Sequence, residues 1–192
     1  MRNILISILV LTTLCCYVVQ AKRDEKKDFK EILIKDEASG EYYYEAIVPV
    51  ENVAKEEMFK RAKTWVLTSL KTSDNNINAD EKELSIINTA SIILDQTKGW
   101  GWAITSGTID FKLNVLFKEG KYKVRFDNIV INAMYVTASG TSLQTVSYTQ
   151  YAKQKENKAG RKFKEMVNEK MLATAVGLEN AIKNGSAAQK DW

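Results

Sequence analysis

The sequence predicts an α+β fold, in which an antiparallel sheet of five or six strands carries two main helices on one face. Two observations support this prediction. Apolar and polar residues alternate over two neighbouring segments between Ile109 and Phe126, as they do in strands with one buried face. Apolar residues recur at helical spacing in two other segments, 53–70 and 158–183, which is typical of amphipathic helices.

The strongest strand signal is a hairpin in the middle of the chain. Its turn is Lys-Glu-Gly-Lys at 118–121, and Leu116 is the one exception to the alternation. Further strands are predicted at 42–50, 84–88 and 91–95, and residues 129–136 continue the sheet or form its edge. The apolar residues of the hairpin are Ile109, Phe111, Leu113, Val115 and Phe117, followed by Tyr122, Val124 and Phe126.

Each predicted helix brings its apolar side chains to one face. Gly177 lies inside the second helix, where glycine costs about 1 kcal/mol relative to alanine, so we expect it to weaken that helix. The apolar face of the first helix consists of Met58, Ala62, Trp65, Val66, Ser69 and Leu70. That of the second consists of Phe163, Val167, Met171, Thr174, Leu178 and Ile182.

Composition divides the rest of the chain. Residues 22–40 are predicted to be a polar leader with a possible short strand, and residues 41–136 the core of the domain. Residues 137–157 are rich in Ser, Thr, Gln and Lys, and are predicted to be a polar, irregular connection. The helix at 158–183 then packs on the same domain, and residues 184–192 are a tail.

The chain has 192 residues, of which 45% are hydrophobic and 27% charged, with a net charge of +4 and no histidine. Its two cysteines, Cys15 and Cys16, both lie in the first 16 residues. Catalysis by histidine or cysteine, and metal ligation by either, are therefore excluded for the rest of the chain. We predict no cofactor and no metal site.

The first 21 residues are predicted to be a cleavable signal peptide. Arg2 supplies the positive start, residues 4–19 are mostly apolar, and Ala21 provides the small residue before the cleavage site. The apolar stretch is short for a transmembrane helix, which needs about 20 residues. A lipoprotein is the less favoured alternative, because Leu14 rather than a small residue precedes Cys15. We therefore expect a periplasmic or secreted protein without a transmembrane helix.

Three stretches of the sequence carry a resemblance to a known family. The first is Ile-Val-Pro-Val at 47–50, and the second is the segment 52–65, NVAKEEMFKRAKTW. The third is the hairpin, with DFKLNV at 110–115 and KEGKYKVRF at 118–126. Together the stretch 44–131 resembles the exported Bacteroidetes domains of unknown function numbered 4468 (DUF4468), which are described as having a TBP-like fold.

The resemblance implies a curved antiparallel sheet backed by helices, in an exported protein of a Bacteroidetes bacterium. It implies no activity and no catalytic residue, since the family has none assigned. A TBP-like shape does not by itself imply DNA binding, because one fold serves many functions.

Trp100 and Trp102, separated by Gly101, are the candidate binding residues. Two indoles on a glycine-containing loop can stack on sugar rings, or contact a membrane interface or a protein partner. The alternative is that they fold back and cap one end of the sheet, because large aromatic side chains are usually mostly buried.

The sequence thus favours a non-enzymatic binding or scaffold module in the bacterial cell envelope. Its partner would be an envelope protein or a glycan, and export argues against nucleic acid. The alternative is a hydrolase that uses carboxylates or a Ser/Lys pair, because such groups assemble in space and leave no spacing to recognise.

Overall fold

The structure is a computed structural model that describes residues 31–70, 77–99, 102–153 and 158–185, with the backbone alone described at 97–99, 102–105 and 158–159. The predicted signal peptide lies outside these ranges. The described elements are, in chain order, β1 (Ile34–Lys35), β2 (Tyr42–Pro49), α1 (Lys55–Ser69), β3 (Ile77–Asp80), β4 (Ser85–Ile93), β5 (Thr97–Gly99), β6 (Trp102–Lys118), β7 (Lys121–Thr137), β8 (Gly140–Ser147), α2 (Tyr148–Ala152) and α3 (Lys158–Asn184).

The strands form one antiparallel sheet in the order β1-β2-β7-β6-β4-β3. Two further strands flank the central hairpin of β6 and β7, with β5 beside β6 and β8 beside β7. β4 pairs with β6 from Thr108 to Leu116, whereas β5 pairs with its first residues. Over the described residues the sheet has eight strands rather than five or six. β5 and β8 are among the additional strands, because each 17-residue strand of the hairpin is long enough for two partners on its outer side.

The core lies between one face of the sheet and the helices, as predicted. The alternating apolar residues of β6 and β7 are buried there, and the rings of Tyr44, Phe126 and Phe111 follow one another across three adjacent strands at 5.2–5.3 Å. Met58, Phe59, Ala62 and Val66 of α1 are buried in the same core. All six residues predicted for the second helix are buried: Phe163, Val167, Met171, Thr174, Leu178 and Ile182.

A buried amide attaches the first described residues to α3. The Oδ1 atom of Asn168 accepts hydrogen bonds from the backbone N–H groups of Ile32 at 2.8 Å and Leu33 at 3.3 Å. Its Nδ2 group donates to the hydroxyl of Tyr148 at 3.1 Å, and that hydroxyl donates to Glu31 at 2.7 Å. Because burial makes unpaired polar groups costly, this network fixes the chain on entry into β1.

Gly177 has a packing role that the sequence does not indicate. Trp65 of α1 lies against it, and a Cβ atom at Gly177 would be 3.2 Å from the Cζ2 atom of Trp65. The glycine thus allows an indole to approach the backbone of α3. At the end of α3, the guanidinium of Arg61 donates to the carbonyl of Ile182 at 2.9 Å, which satisfies a carbonyl of the last turn.

The ladder between β6 and β7 is interrupted by two bulges. One lies on β7 between Asp127 and Val130, where Asn128 has a φ of 53°. The extra residue allows both Phe126 and Ile129 to face the core. The second lies on β6 between Ile104 and Ser106.

Two parts of the sheet differ from the sequence prediction. The two strands predicted at 84–88 and 91–95 are a single strand, β4, which runs from Ser85 to Ile93. The connection predicted to be irregular at 137–157 contains β8 and α2. β8 is a polar and mostly exposed edge strand. Because an edge strand has little contact with the core, its sequence shows no alternation of apolar and polar residues.

Gly107 on β6 gives a test of how tightly the hairpin is packed. A Cβ atom there would lie 2.5 Å from the carbonyl oxygen of Asn132 and 3.2 Å from the Cα atom of Ala133. We expect Gly107→Ala to lower the free energy of unfolding by about 1–3 kcal/mol, because backbone of β7 must shift. Urea unfolding of the wild type and of Gly107→Ala measures this difference in the free energy of unfolding.

The matched control is Ser106→Ala at the exposed neighbouring position, which we expect to change stability by less than about 0.5 kcal/mol. Equal unfolding midpoints for the wild type and Gly107→Ala would contradict the close approach of the two strands.

Candidate functional site: the open face of the sheet

The side of the sheet opposite the helices, called here the open face, presents side chains in rows across the strands. One such row consists of Glu45 on β2, Arg125 on β7, Asn114 on β6 and Ile87 on β4. Because side chains alternate between the faces of a strand, the even positions of β6 from Thr108 to Lys118 belong to this face. The open face has charged and polar groups in the middle and apolar groups at both ends.

A charged band occupies the middle of the open face and consists of Tyr43, Glu45, Lys123, Arg125 and Asp127. Glu45 is 2.9 Å from the Lys123 ammonium and 3.2 Å from the guanidinium of Arg125. Arg125 also pairs with Asp127 at 3.2 Å, and its guanidinium lies 4.0 Å above the ring of Tyr43. The charged groups therefore neutralise one another.

The electrostatics of the band centre on Glu45. The hydrogen bond from Lys123, assisted by Arg125, lowers the pKa of Glu45 below its ordinary value, against a smaller opposing effect of burial. Glu45 is consequently ionised at neutral pH and holds both cations in place.

A second cluster of polar side chains lies beyond the charged band, toward the end of the sheet away from the β6–β7 turn. Asp110 accepts a hydrogen bond from the hydroxyl of Ser91 at 2.6 Å and from the amide of Asn132 at 2.7 Å. The Oδ1 atom of Asn132 accepts from the hydroxyl of Thr145 at 2.8 Å. The chain of contacts spans β4, β6, β7 and β8, so these groups order one another across the sheet.

Beyond this group lies a set of exposed apolar side chains, the distal patch, formed by Ile93, Met134, Val136 and Leu143. Ile93 and Leu143 are 74% and 69% exposed. Met134 and Leu143 are directly opposed on β7 and β8, and Ile93 lies in the preceding row, opposite Thr108. Met134 and Leu143 are neighbours, whereas Ile93 lies across β6 from them. Exposed apolar side chains grouped at one end of a sheet mark interaction surfaces.

The candidate binding residues lie at the same end of the sheet. Trp102 begins β6 and its backbone pairs with Gly99 on one side and Thr137 on the other, one position beyond Val136. Its side chain and all of Trp100 lie outside the described residues, so their predicted exposure stays a prediction. The register alone places the backbone of Trp102 next to the distal patch.

The hydrolase alternative directs attention to a cavity on the helical side. It has a volume of about 310 Å³ and carries Asp95, Glu165 and Glu169 in its lining. Lys170 binds both carboxylate oxygens of Asp95 at 2.9 Å, so this carboxylate is engaged in an ion pair. Among the described residues no cluster of three or more acidic side chains fits a metal ion.

Sequence reasoning did not find the distal patch. Leu143 falls in the segment expected to be irregular, and the orientation of Met134 and Val136 depends on the bulge at Asn128. A polar edge strand and a bulge leave no periodic signal. The sequence signal that could have pointed to the patch was a lone apolar residue in a Ser/Thr-rich stretch, such as Leu143 in GTSLQTVS.

The charged band gives a pH-dependent prediction. A carboxyl whose pKa is lower in the folded state stabilises that state above its unfolded pKa, near 4.5 for Glu45, and loses this contribution as the pH falls through the folded pKa. We expect Glu45→Gln to cost up to about 1 kcal/mol at neutral pH, since the pairs are partly exposed. The cost should shrink well below pH 4.5.

Urea unfolding of the wild type and of Glu45→Gln, at neutral pH and well below pH 4.5, measures this difference. The control is Glu37→Gln, at an exposed glutamate between β1 and β2, for which little change in stability is expected at neutral pH. A cost for Glu45→Gln that stays constant with pH would show that the ion pairs do not stabilise the fold.

Comparisons with known proteins identify the fold. Residues 44–132 match the family described as a domain of unknown function (DUF4468) with TBP-like fold. A comparison with curated proteins found no match. Over the described part of the chain, no helix combines the length and the apolar character that crossing a bilayer requires.

Two crystal structures are similar to this chain. One is a TBP-like protein from Parabacteroides distasonis, with a TM-score of 0.63 and 16% sequence identity, covering 79% of this chain and 99% of that one. The other is a DUF4468 family protein from Bacteroides ovatus, with a TM-score of 0.58 and 11% identity, covering 84% and 96%. The resemblance to the DUF4468 family is thereby confirmed, and the fold of this chain is TBP-like.

Proposed function

We propose that the protein is a binding module of the bacterial cell envelope and that the distal patch contacts a partner protein there. The observation that carries this proposal is the exposure of Ile93, Met134, Val136 and Leu143 on one end of an ordered sheet. An exposed apolar patch on a stable scaffold is characteristic of an interaction surface.

The chemistry of the open face supports a protein partner over a glycan. Methionine is enriched in protein–protein interfaces, and Met134 is 38% exposed in the patch. A glycan site needs polar groups that are available to hydroxyls, whereas Asp110 and Asn132 already hydrogen-bond to one another at 2.7 Å. We further propose that Trp100 and Trp102 extend the contact surface.

The proposal of an envelope location rests on the N-terminal segment. Its positive start, apolar stretch and small residue at position 21 are the features of a signal peptide. The resemblance to exported Bacteroidetes domains points the same way. The partner would then be another envelope protein.

A pull-down tests the binding site. Residues 22–192, which include the compact unit Glu31–Trp192, serve as bait against an envelope extract of the source bacterium. We expect a specific protein to be retained by the wild type and lost with Leu143→Glu, because a buried unpaired charge weakens an interface by roughly 2 kcal/mol or more. Trp100→Ala/Trp102→Ala should weaken the same interaction.

The matched control is Leu172→Glu on α3, where leucine is also exposed, at 44%. This variant should retain the partner. Retention by Leu143→Glu at wild-type levels, or equal loss with Leu172→Glu, would overturn the assignment of the distal patch.

Expression of the whole chain in a bacterial host tests the export proposal. We expect the periplasmic or secreted protein to begin at Lys22, as shown by mass spectrometry of the intact chain. A lipid-bearing species that begins at Cys15 or Cys16 would establish the lipoprotein alternative instead. Retention of residues 1–21 in a cytoplasmic product would contradict export.

A further inference from the structure

The opposite end of the open face carries a second apolar surface with a different chemistry. A shallow groove of about 210 Å³ lies beside the β6–β7 turn. We call it the turn groove. It is lined by Ile47, Leu116, Tyr122, Lys118, Lys121 and Lys123.

The register explains how the groove arises. Ile47 on β2, Lys123 on β7 and Leu116 on β6 lie in one row across the open face. Lys121 and Lys118 face each other in the next row, the last before the turn. Lys123 therefore lies between the two apolar side chains, and Lys118 and Lys121 border them at the turn end of the sheet.

Both apolar residues of the groove are accessible. Ile47 is 64% exposed and Leu116 is 49% exposed. Leu116 is the residue that interrupts the polar positions of its strand, since its neighbours on the open face are Asn114 and Lys118. An exposed leucine at this position has no role in the core of the domain.

The lysines differ in their partners. Lys123 is 2.9 Å from Glu45 in the charged band. Among the described residues, no carboxylate lies within 4.0 Å of the ammonium groups of Lys118 or Lys121, although Glu119 is in the same turn. Two cations at the tip of the sheet are thus available to an anionic surface.

We propose that the turn groove docks on an anionic lipid bilayer, with Ile47 and Leu116 entering the interfacial region and Lys118 and Lys121 contacting lipid phosphates. Apolar residues flanked by lysines are what peripheral membrane contact requires, because burial of apolar area and attraction to anionic headgroups act together. The turn places these groups at the extremity of the hairpin, where a flat surface can reach them.

This inference does not depend on the distal patch. Leu116 and Ser106 are ten residues apart on β6, which corresponds to roughly 33 Å along a strand. Substitutions at one end therefore leave the other intact. A protein docked through the turn groove would hold the distal patch away from the bilayer surface.

Vesicle co-sedimentation tests the proposal with residues 22–192. The probes are vesicles of phosphatidylcholine alone and of equal parts phosphatidylcholine and phosphatidylglycerol. We expect binding to the anionic vesicles only, with the partition coefficient reduced at least about tenfold by Lys118→Glu/Lys121→Glu. High salt should reduce binding as well, since surface charges are screened.

The control variant is Lys60→Glu/Lys153→Glu, which changes the net charge equally at exposed lysines on the helical side. It should bind as the wild type does. A second variant, Ile47→Ser/Leu116→Ser, removes the apolar contact without changing charge and should also weaken binding severalfold.

Absence of wild-type binding to the anionic vesicles would overturn the proposal. Equal loss in the control variant would also overturn it, because the attraction would then come from net charge rather than from this groove. If the glutamate variant does not fold, Lys118→Gln/Lys121→Gln provides the same test. Wild-type binding by a folded variant of either kind would exclude a role for these lysines.

Discussion

The pairing of β6 with β7 is the constraint on which the rest of the structure depends. The two strands run antiparallel from the Lys118–Lys121 pair to the Trp102–Thr137 pair, and their alternating apolar residues form the floor of the core. Every other strand except β1 and β3 pairs directly with one of them. α1 and α3 are held on the sheet because the hairpin offers a continuous apolar surface to cover, which isolated helices need for stability.

The open face is organised by the same pairing. The charged groups in its middle offer little to a ligand, because Glu45, Arg125 and Asp110 already have partners in neighbouring strands. A partner that covered this region would have to desolvate these paired groups for little gain. The two ends carry exposed apolar side chains, Ile93 and Leu143 at one end and Ile47 and Leu116 at the other, whose burial is favourable. This division of the face is the physical reason for placing both proposed contacts at its ends.

Much of the fold could be predicted from the sequence, because burial on one face imposes a period that is visible in the residues. The six residues expected on the apolar face of α3 are all buried, and the hairpin turn is at the predicted position. The parts that could not be predicted lack such a period. β8 is an exposed edge strand, Gly177 acts through Trp65 of another helix, and the distal patch depends on a bulge. Trp100 and Trp102 were recognisable only by residue type, and their side chains lie outside the described residues.

The bulge at Asn128 determines which residues of β7 face the core in the second half of the strand. Before it, the core-facing residues of β7 are even-numbered, as at Val124 and Phe126; after it they are odd-numbered, as at Ile129 and Ile131. Asn128 is the extra residue that causes this change, so its deletion would leave Ile129 and Ile131 in regular alternation with Phe126, on the same core face. Elsewhere in β7 a single insertion or deletion would exchange the faces of the strand downstream, so insertions and deletions there should be tolerated in pairs. A single one would turn the distal patch toward the helices and bring core residues to the outside.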